Sequence, residues 1–152
     1  MKNLIALTLI LSISFSSVCF SQQQSSEKER AQAIYLGHKA LIETQNFQFV
    51  ANWVFRDDAR KEVPVDRNTI KISQSNLAGL LASFGNNEEA IVLNGKINDY
   101  STLFNDDEQQ IIIKIKTDVY DIKIDIKSNG KAFLVLKANN LQSMTYRGVI
   151  AK

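Results

Sequence analysis

The spacing of apolar residues along this 152-residue chain changes several times, and each change marks a new element. Leu4 to Ile13 (LIALTLILSI) is apolar apart from Thr8 and Ser12, and then dilutes into serines. Beyond a polar Gln22–Ser25 stretch, Ser26 reads as a helix N-cap, with Glu29 completing a capping box. Ala31, Ile34, Tyr35, His38, Leu41 and Ile42 then recur on one face, which predicts an amphipathic helix of about four to five turns lying on a sheet. At Asn46 the period falls to two. Phe47, Phe49, Ala51, Trp53 and Phe55 share one face of a predicted strand, and Gln48, Val50, Asn52, Val54 and Arg56 share the other.

Asp57 to Lys61 reads as a charged turn, and Pro64 precedes a second strand over Val65–Ile72. Leu77, Leu80, Leu81 and Phe84 have helical spacing and predict a short internal helix, capped by Ser73 or Ser75 and stopped at Gly85. Gly79 within it costs about 1 kcal/mol relative to alanine, so that helix would depend on packing. Ala90–Leu93 and Lys96–Leu103 predict a hairpin about Asn94-Gly95. Asn105–Glu108 is a polar, acidic loop. Four strands follow, at Ile111–Thr117, Val119–Lys127, Lys131–Ala138 and Ser143–Ile150.

The turn at Ser128-Asn129-Gly130 admits two registers. A two-residue Asn-Gly turn pairs Ile126 with Phe133, whereas a three-residue loop closed by Gly130 pairs Ile124 with Leu134. The stronger Asn-Gly signal favours the first. In the strand after it, Phe133 and Val135 point one way and Leu134 and Leu136 the other. Both faces are apolar, which predicts cover on both sides. The expected architecture is mainly β (α+β): a strongly curved antiparallel sheet or lipocalin-like barrel, with an N-terminal helix and one short internal helix.

The opening apolar tract, with Lys2 before it and Cys19-Phe20-Ser21 after it, fits a cleaved export signal. It is shorter than the ~20 residues a spanning helix needs. The organisation expected is therefore a signal peptide at 1–21, a flexible leader and helix start at 22–30, and one β-rich domain at 31–152, exported to the periplasm or secreted. Cys19 also invites a lipoprotein reading, but Val18 stands where a lipidated cysteine is preceded by a small residue, which argues against anchoring. Cys19 is the only cysteine, so cleavage leaves a disulfide-free domain of about 130 residues that must rely on its core. The 18 basic and 16 acidic residues are interleaved, which excludes the concentrated positive charge that nucleic acid requires.

The order of elements resembles a known family. A capped helix leads into Phe47-x-Phe49-x-Ala51, a second strand precedes Phe84-Gly85, and a late sheet carries the Ser128–Val135 hairpin and a closing Tyr146-Arg147-Gly148-Val149-Ile150. Over about Ala33 to Ile150 this is similar to domain of unknown function 4251, exported proteins of Bacteroidota. The resemblance implies a single antiparallel domain with lipocalin-like topology, and it brings no assigned activity. Members often carry a proline-aromatic pair and an aromatic-rich loop around the short helix. Here Leu81-Ala82-Ser83-Phe84-Gly85-Asn86-Asn87 stands in its place, so a ligand mouth there would differ or be missing.

Candidate chemistry is sparse. His38 is the only histidine, so with no cysteine it cannot build a typical zinc site, and a Ser-His-acid triad would need it as base; the expectation is a partly buried structural histidine bonded to a neighbour, with no metal and no cofactor. Asp57-Asp58 and Asp106-Asp107-Glu108 lack the glycine and spacing of a calcium loop and read as solvated turns. The Phe47–Phe55 stripe reads as core, with Trp53 as the residue best suited to a second role, because a buried indole N–H needs a partner. Ile111–Ile115 reads as a central, fully paired strand, guarded from aggregation by Lys114, Lys116 and the preceding acids. No catalytic residues are assigned. The residues expected to meet a ligand are Trp53, Phe84 and Tyr146.

The functional expectation is a non-enzymatic exported module that binds a small apolar ligand or an envelope protein, with no nucleic acid, no membrane span and an open oligomeric state. The alternatives are a small carboxylate-dependent glycan hydrolase, which needs two facing acids, one with a raised pKa, and a structural or inhibitory protein with a filled core and no ligand cavity.

Overall fold

The computed structural model describes residues 26–84, 90–139 and 141–152. The expected signal peptide with Cys19, the expected leader over Gln22–Ser25, and Gly85 lie outside the described residues. Helix α1 (26–43) is followed by ten strands: β1 Asn46–Arg56, β2 Ala59–Glu62, β3 Thr69–Ser73, β4 Asn76–Ala82, β5 Ala90–Lys96, β6 Asp99–Asn105, β7 Gln110–Lys116, β8 Tyr120–Ile126, β9 Lys131–Ala138 and β10 Leu141–Ala151. They form one curled antiparallel sheet in the order β5-β4-β3-β1-β10-β9-β8-β7-β6, and β2 pairs with β1 beside this path. The predicted class holds: mainly β, strongly curved, with a single N-terminal helix.

Three local expectations are corrected. Leu77–Ala82 is strand β4, hydrogen-bonded to β3 and β5, and not a helix. Leu77 and Leu81 are buried in the core, whereas Leu80 faces solvent at 41% exposure. Positions four apart fit either period, and pairing on both sides decided for strand. Asn94-Gly95 is not a turn; it lies inside β5, opposite Ala78 and Leu77. β5 and β6 therefore form the two edges of the sheet, joined through Ile97-Asn98. The expected charged turn is confined to Asp57-Asp58, its remainder entering β2, and Val65–Arg67 forms a 3-10 turn ahead of a later-starting β3.

The register at Ser128-Asn129-Gly130 is the three-residue one: Ile124 pairs with Leu134, and Ile126 with Ala132. The Lys127 N–H donates to the Lys131 carbonyl at 2.9 Å, and the Gly130 N–H donates to the Lys127 carbonyl at 2.9 Å. Gly130 sits at φ +80, the left-handed position that such a loop reserves for glycine. This register places Ile122, Ile124 and Ile126 on the same buried face as Leu136, Leu134 and Ala132. Slipping by one would turn one of the two sets toward solvent.

The concave face is packed solid by Phe47, Phe49, Ile70, Ile113, Leu134 and Tyr146, all at most 1% exposed. α1 caps one end and adds Tyr35 and Ile42, two helical turns apart, to that cluster. The Tyr35 hydroxyl donates to Asp106 Oδ1 at 2.6 Å, and Lys39 Nζ donates to the same oxygen at 2.9 Å. Together they tie α1 to the β6–β7 turn and hold the Asp106 carboxyl below its ordinary range.

His38 is partly buried beside Gly130, but instead of the expected bond to a neighbour its Nδ1 has no hydrogen-bond partner among the described residues. Burial lowers its pKa below the ordinary 6.5. The unfolded chain thus binds this proton more readily than the folded one. The stability contributed by a neutral His38 is complete above that ordinary value and is lost as pH falls through the depressed one. The melting temperature of the native protein should therefore drop more between pH 7.5 and 5 than that of His38→Gln; parallel melting profiles would contradict this.

Candidate functional site: an aromatic and arginine patch on the outer sheet face

A bulge in β1 creates the site. Up to Ala51 the ladder with β10 is regular, and it shifts between Ala51 and Trp53. The Ala51 N–H donates to the Asn68 carbonyl at 2.8 Å, and the Val63 N–H donates to the Asn52 carbonyl at 3.0 Å. The 63–68 segment thus takes backbone groups that a regular ladder would use. Asn68 is itself buried and pinned: Nδ2 donates to the Pro64 carbonyl at 2.8 Å, and Oδ1 accepts from the Ala82 N–H at 2.6 Å. One extra residue inverts the side-chain alternation beyond it.

The aromatic stripe is split as a result. Phe47, Phe49 and Ala51 point into the core and Val54 resumes it, while Trp53 and Phe55 turn to the outer face. The expectation that all five stripe residues share one face is corrected by this bulge. Outside, Trp53 and Phe55 stack with ring centroids 6.4 Å apart and planes at 28°. Arg147 Cζ lies 5.1 Å from the Trp53 ring centroid and Arg60 Cζ 5.6 Å from it. Cross-strand pairing sets Arg147 between Trp53 and Phe133, and Thr145 between Phe55 and Val135. Phe133 and Val135 are half-buried on this outer face. Helix α1 packs on the opposite, concave side, so the expected cover over both faces of β9 is replaced by one filled face and one partly open one.

Beyond Val135 the patch runs into a groove of about 400 Å³ bordered by Lys114, Lys116, Lys123 and Lys137, with Asp121 among them. Lys114 and Lys123 stand directly opposite in the β7–β8 ladder. β7 is paired on both sides, as expected of a strand so rich in isoleucine, but it lies next to the edge strand β6 and not at the centre of the sheet.

The three residues expected to meet a ligand are not brought together. Trp53 is outside. Tyr146, on the neighbouring strand, points inward; its hydroxyl donates to the Ala82 carbonyl at 2.8 Å and contacts Met144 Sδ at 3.6 Å. Burial raises its pKa, which suits a structural hydrogen-bond donor. Phe84 packs against the core, with Arg56 Cζ 5.1 Å from its ring centroid. Sequence reasoning missed Arg60 and Arg147, whose role appears only once the register is known.

Among the described residues no three His, Cys, Asp or Glu side chains converge as metal ligands, and no helix is long and apolar enough to cross a membrane. The Asp106 carboxyl is shifted down by the hydrogen bonds from Tyr35 and Lys39. A general acid of a glycosidase needs the opposite shift.

A comparison with curated proteins matches none of them to this chain. The fold is similar to the crystal structure of a DUF4251 family protein from Bacteroides eggerthii DSM 20697, with a TM-score of 0.67 and 18% identity, over 78% of this chain and 87% of that one. Residues 24–150 match the family described as Domain of unknown function (DUF4251). With most of its residues inside that match, the chain belongs to the DUF4251 family.

Proposed function

We propose that this protein is exported by its first 21 residues and acts there as a non-enzymatic docking module, using the outer face of the curled sheet. The observation that carries this reading is the filled concave face. Tyr146, Phe47 and Phe49 are at most 1% exposed, and α1 closes one end with Tyr35 and Ile42. A lipocalin-like sheet that holds a ligand keeps a cavity of ~300 Å³ or more; here side chains occupy that place. The outer face instead carries Trp, Phe and Arg together, residue types enriched at protein interfaces, with Trp and Arg prominent among hot spots.

Native mass spectrometry of protein purified from its own source tests this. The expected mass is that of a polypeptide beginning at Gln22, with nothing else bound. A stoichiometric apolar ligand retained in the spectrum would refute docking by the outer face, and a mass including an acylated Cys19 would refute release as a soluble product.

A further inference from the structure

Resting on that reading, we infer that the outer patch docks an extended acidic segment of a protein partner, with carboxylates on Arg60 and Arg147 and an apolar side chain against Phe133 and Val135. A guanidinium lying over an indole uses the face of its π-system, while its N–H donors radiate in the plane and remain available. Both arginines are placed this way, at 5.6 and 5.1 Å from the same ring centroid. Among the described residues, no carboxylate lies within ion-pair distance of either one. Glu62, the direct cross-strand partner of Trp53, is near enough in sequence to have served, and it does not. Arg147 is half-buried and Arg60 exposed, and among the described residues neither fork is engaged by a carboxylate, which leaves both free for bidentate carboxylate binding.

Spacing points to an extended segment. Two guanidinia that each lie within 6 Å of one centroid are at most about 12 Å apart, and same-side side chains of a strand recur every ~6.8 Å. Acids at alternate positions therefore reach both. The patch covers four strands, β2, β1, β10 and β9, or about 15 Å at the usual strand spacing. That suits a short linear segment better than the ~800 Å² per partner of a domain-sized interface. The adjoining groove continues the positive charge. Lys114 and Lys123 face each other there, a like-charge pairing that disfavours the isolated sheet and that an acidic partner would relieve.

A random-peptide display library panned on the mature protein tests the inference, because Trp53, the single tryptophan, reports occupancy of the patch directly. The expected winners carry Asp or Glu at alternate positions, followed two residues on by an apolar residue on the same side. A synthetic copy of the most enriched peptide should change Trp53 emission saturably, and Arg147→Gln should weaken it at least tenfold while leaving the melting temperature within a degree or two. Arg147→Lys, which keeps the charge and loses the fork, should fall between. Polygalacturonate, an acidic polymer with no peptide backbone, should not displace the peptide.

Neutral or basic winners, no enrichment, binding indifferent to Arg147→Gln, or equal competition by polygalacturonate would each overturn the acidic-segment inference. Neutral peptides that still shift Trp53 emission would overturn it while leaving the outer face as the docking surface. An apolar ligand retained in native mass spectrometry would instead remove the reading beneath it.

Discussion

Gly79→Ala should destabilise the protein by about 3 kcal/mol, read as a lower urea midpoint with an unchanged slope. The residue adopts φ +153 in the middle of β4, opposite Ile70 of β3 and Leu93 of β5. A Cβ built there would collide with the Thr69 carbonyl oxygen and lie 2.6 Å from Ile70 Cα, both backbone atoms of a strand that is itself paired on its far side. Backbone has no rotamer with which to yield, so β4 would have to move away from β3. The strained dihedral contributes ~1–3 kcal/mol and overpacking contributes a similar amount. In a helix, the same substitution would instead stabilise by about 1 kcal/mol, because alanine is the better helix former. The sign of the effect thus separates the two structures this segment could adopt. A midpoint that rises in Gly79→Ala would refute the strand.

The same segment shows what the sequence could and could not reveal. α1 was legible because Tyr35, His38 and Ile42 keep a helical period over several turns. β7 to β10 were legible because Ile111–Ile115 and Lys131–Ala138 are β-prone and bounded by turns. Leu77–Ala82 was ambiguous, since leucines four apart satisfy both periods and the deciding facts are hydrogen bonds to β3 and β5. Turn chemistry misled in the same region. Asn94-Gly95 looks like the strongest two-residue turn in the chain and lies within a strand, whereas the β3–β4 turn uses Gln74-Ser75, with Gln74 at φ +49. Its backbone is held from outside: the Gln74 N–H donates to the Gln45 carbonyl at 2.8 Å, a contact between turns 29 residues apart that no local rule anticipates. The candidate site was half visible. Trp53 stood out as a lone indole, but its two arginines come from β2 and from β10, and only the paired sheet brings them to one ring.

The bulge between Ala51 and Trp53 makes the second large prediction, a contrast between two phenylalanines six residues apart that an unbroken alternation would treat alike. Phe49 is fully buried, opposite Ile70 and Ile150 on the core face. Phe49→Ala removes its buried area and leaves a cavity that the surrounding strands can fill only in part, so it should cost about 4 kcal/mol. Phe55 lies on the outer face, stacked on Trp53 and opposite Arg60. Phe55→Ala loses that stack and a half-buried ring, and should cost only about 1 kcal/mol. Urea unfolding of the two variants checks the contrast, and Trp53 emission adds a local probe, since Phe55→Ala should alter the native spectrum and Phe49→Ala should not. Equal costs would mean that Phe55 points into the core after all. The outer patch would then lose its second aromatic ring, and with it the stack that holds Trp53 upright between Arg60 and Arg147.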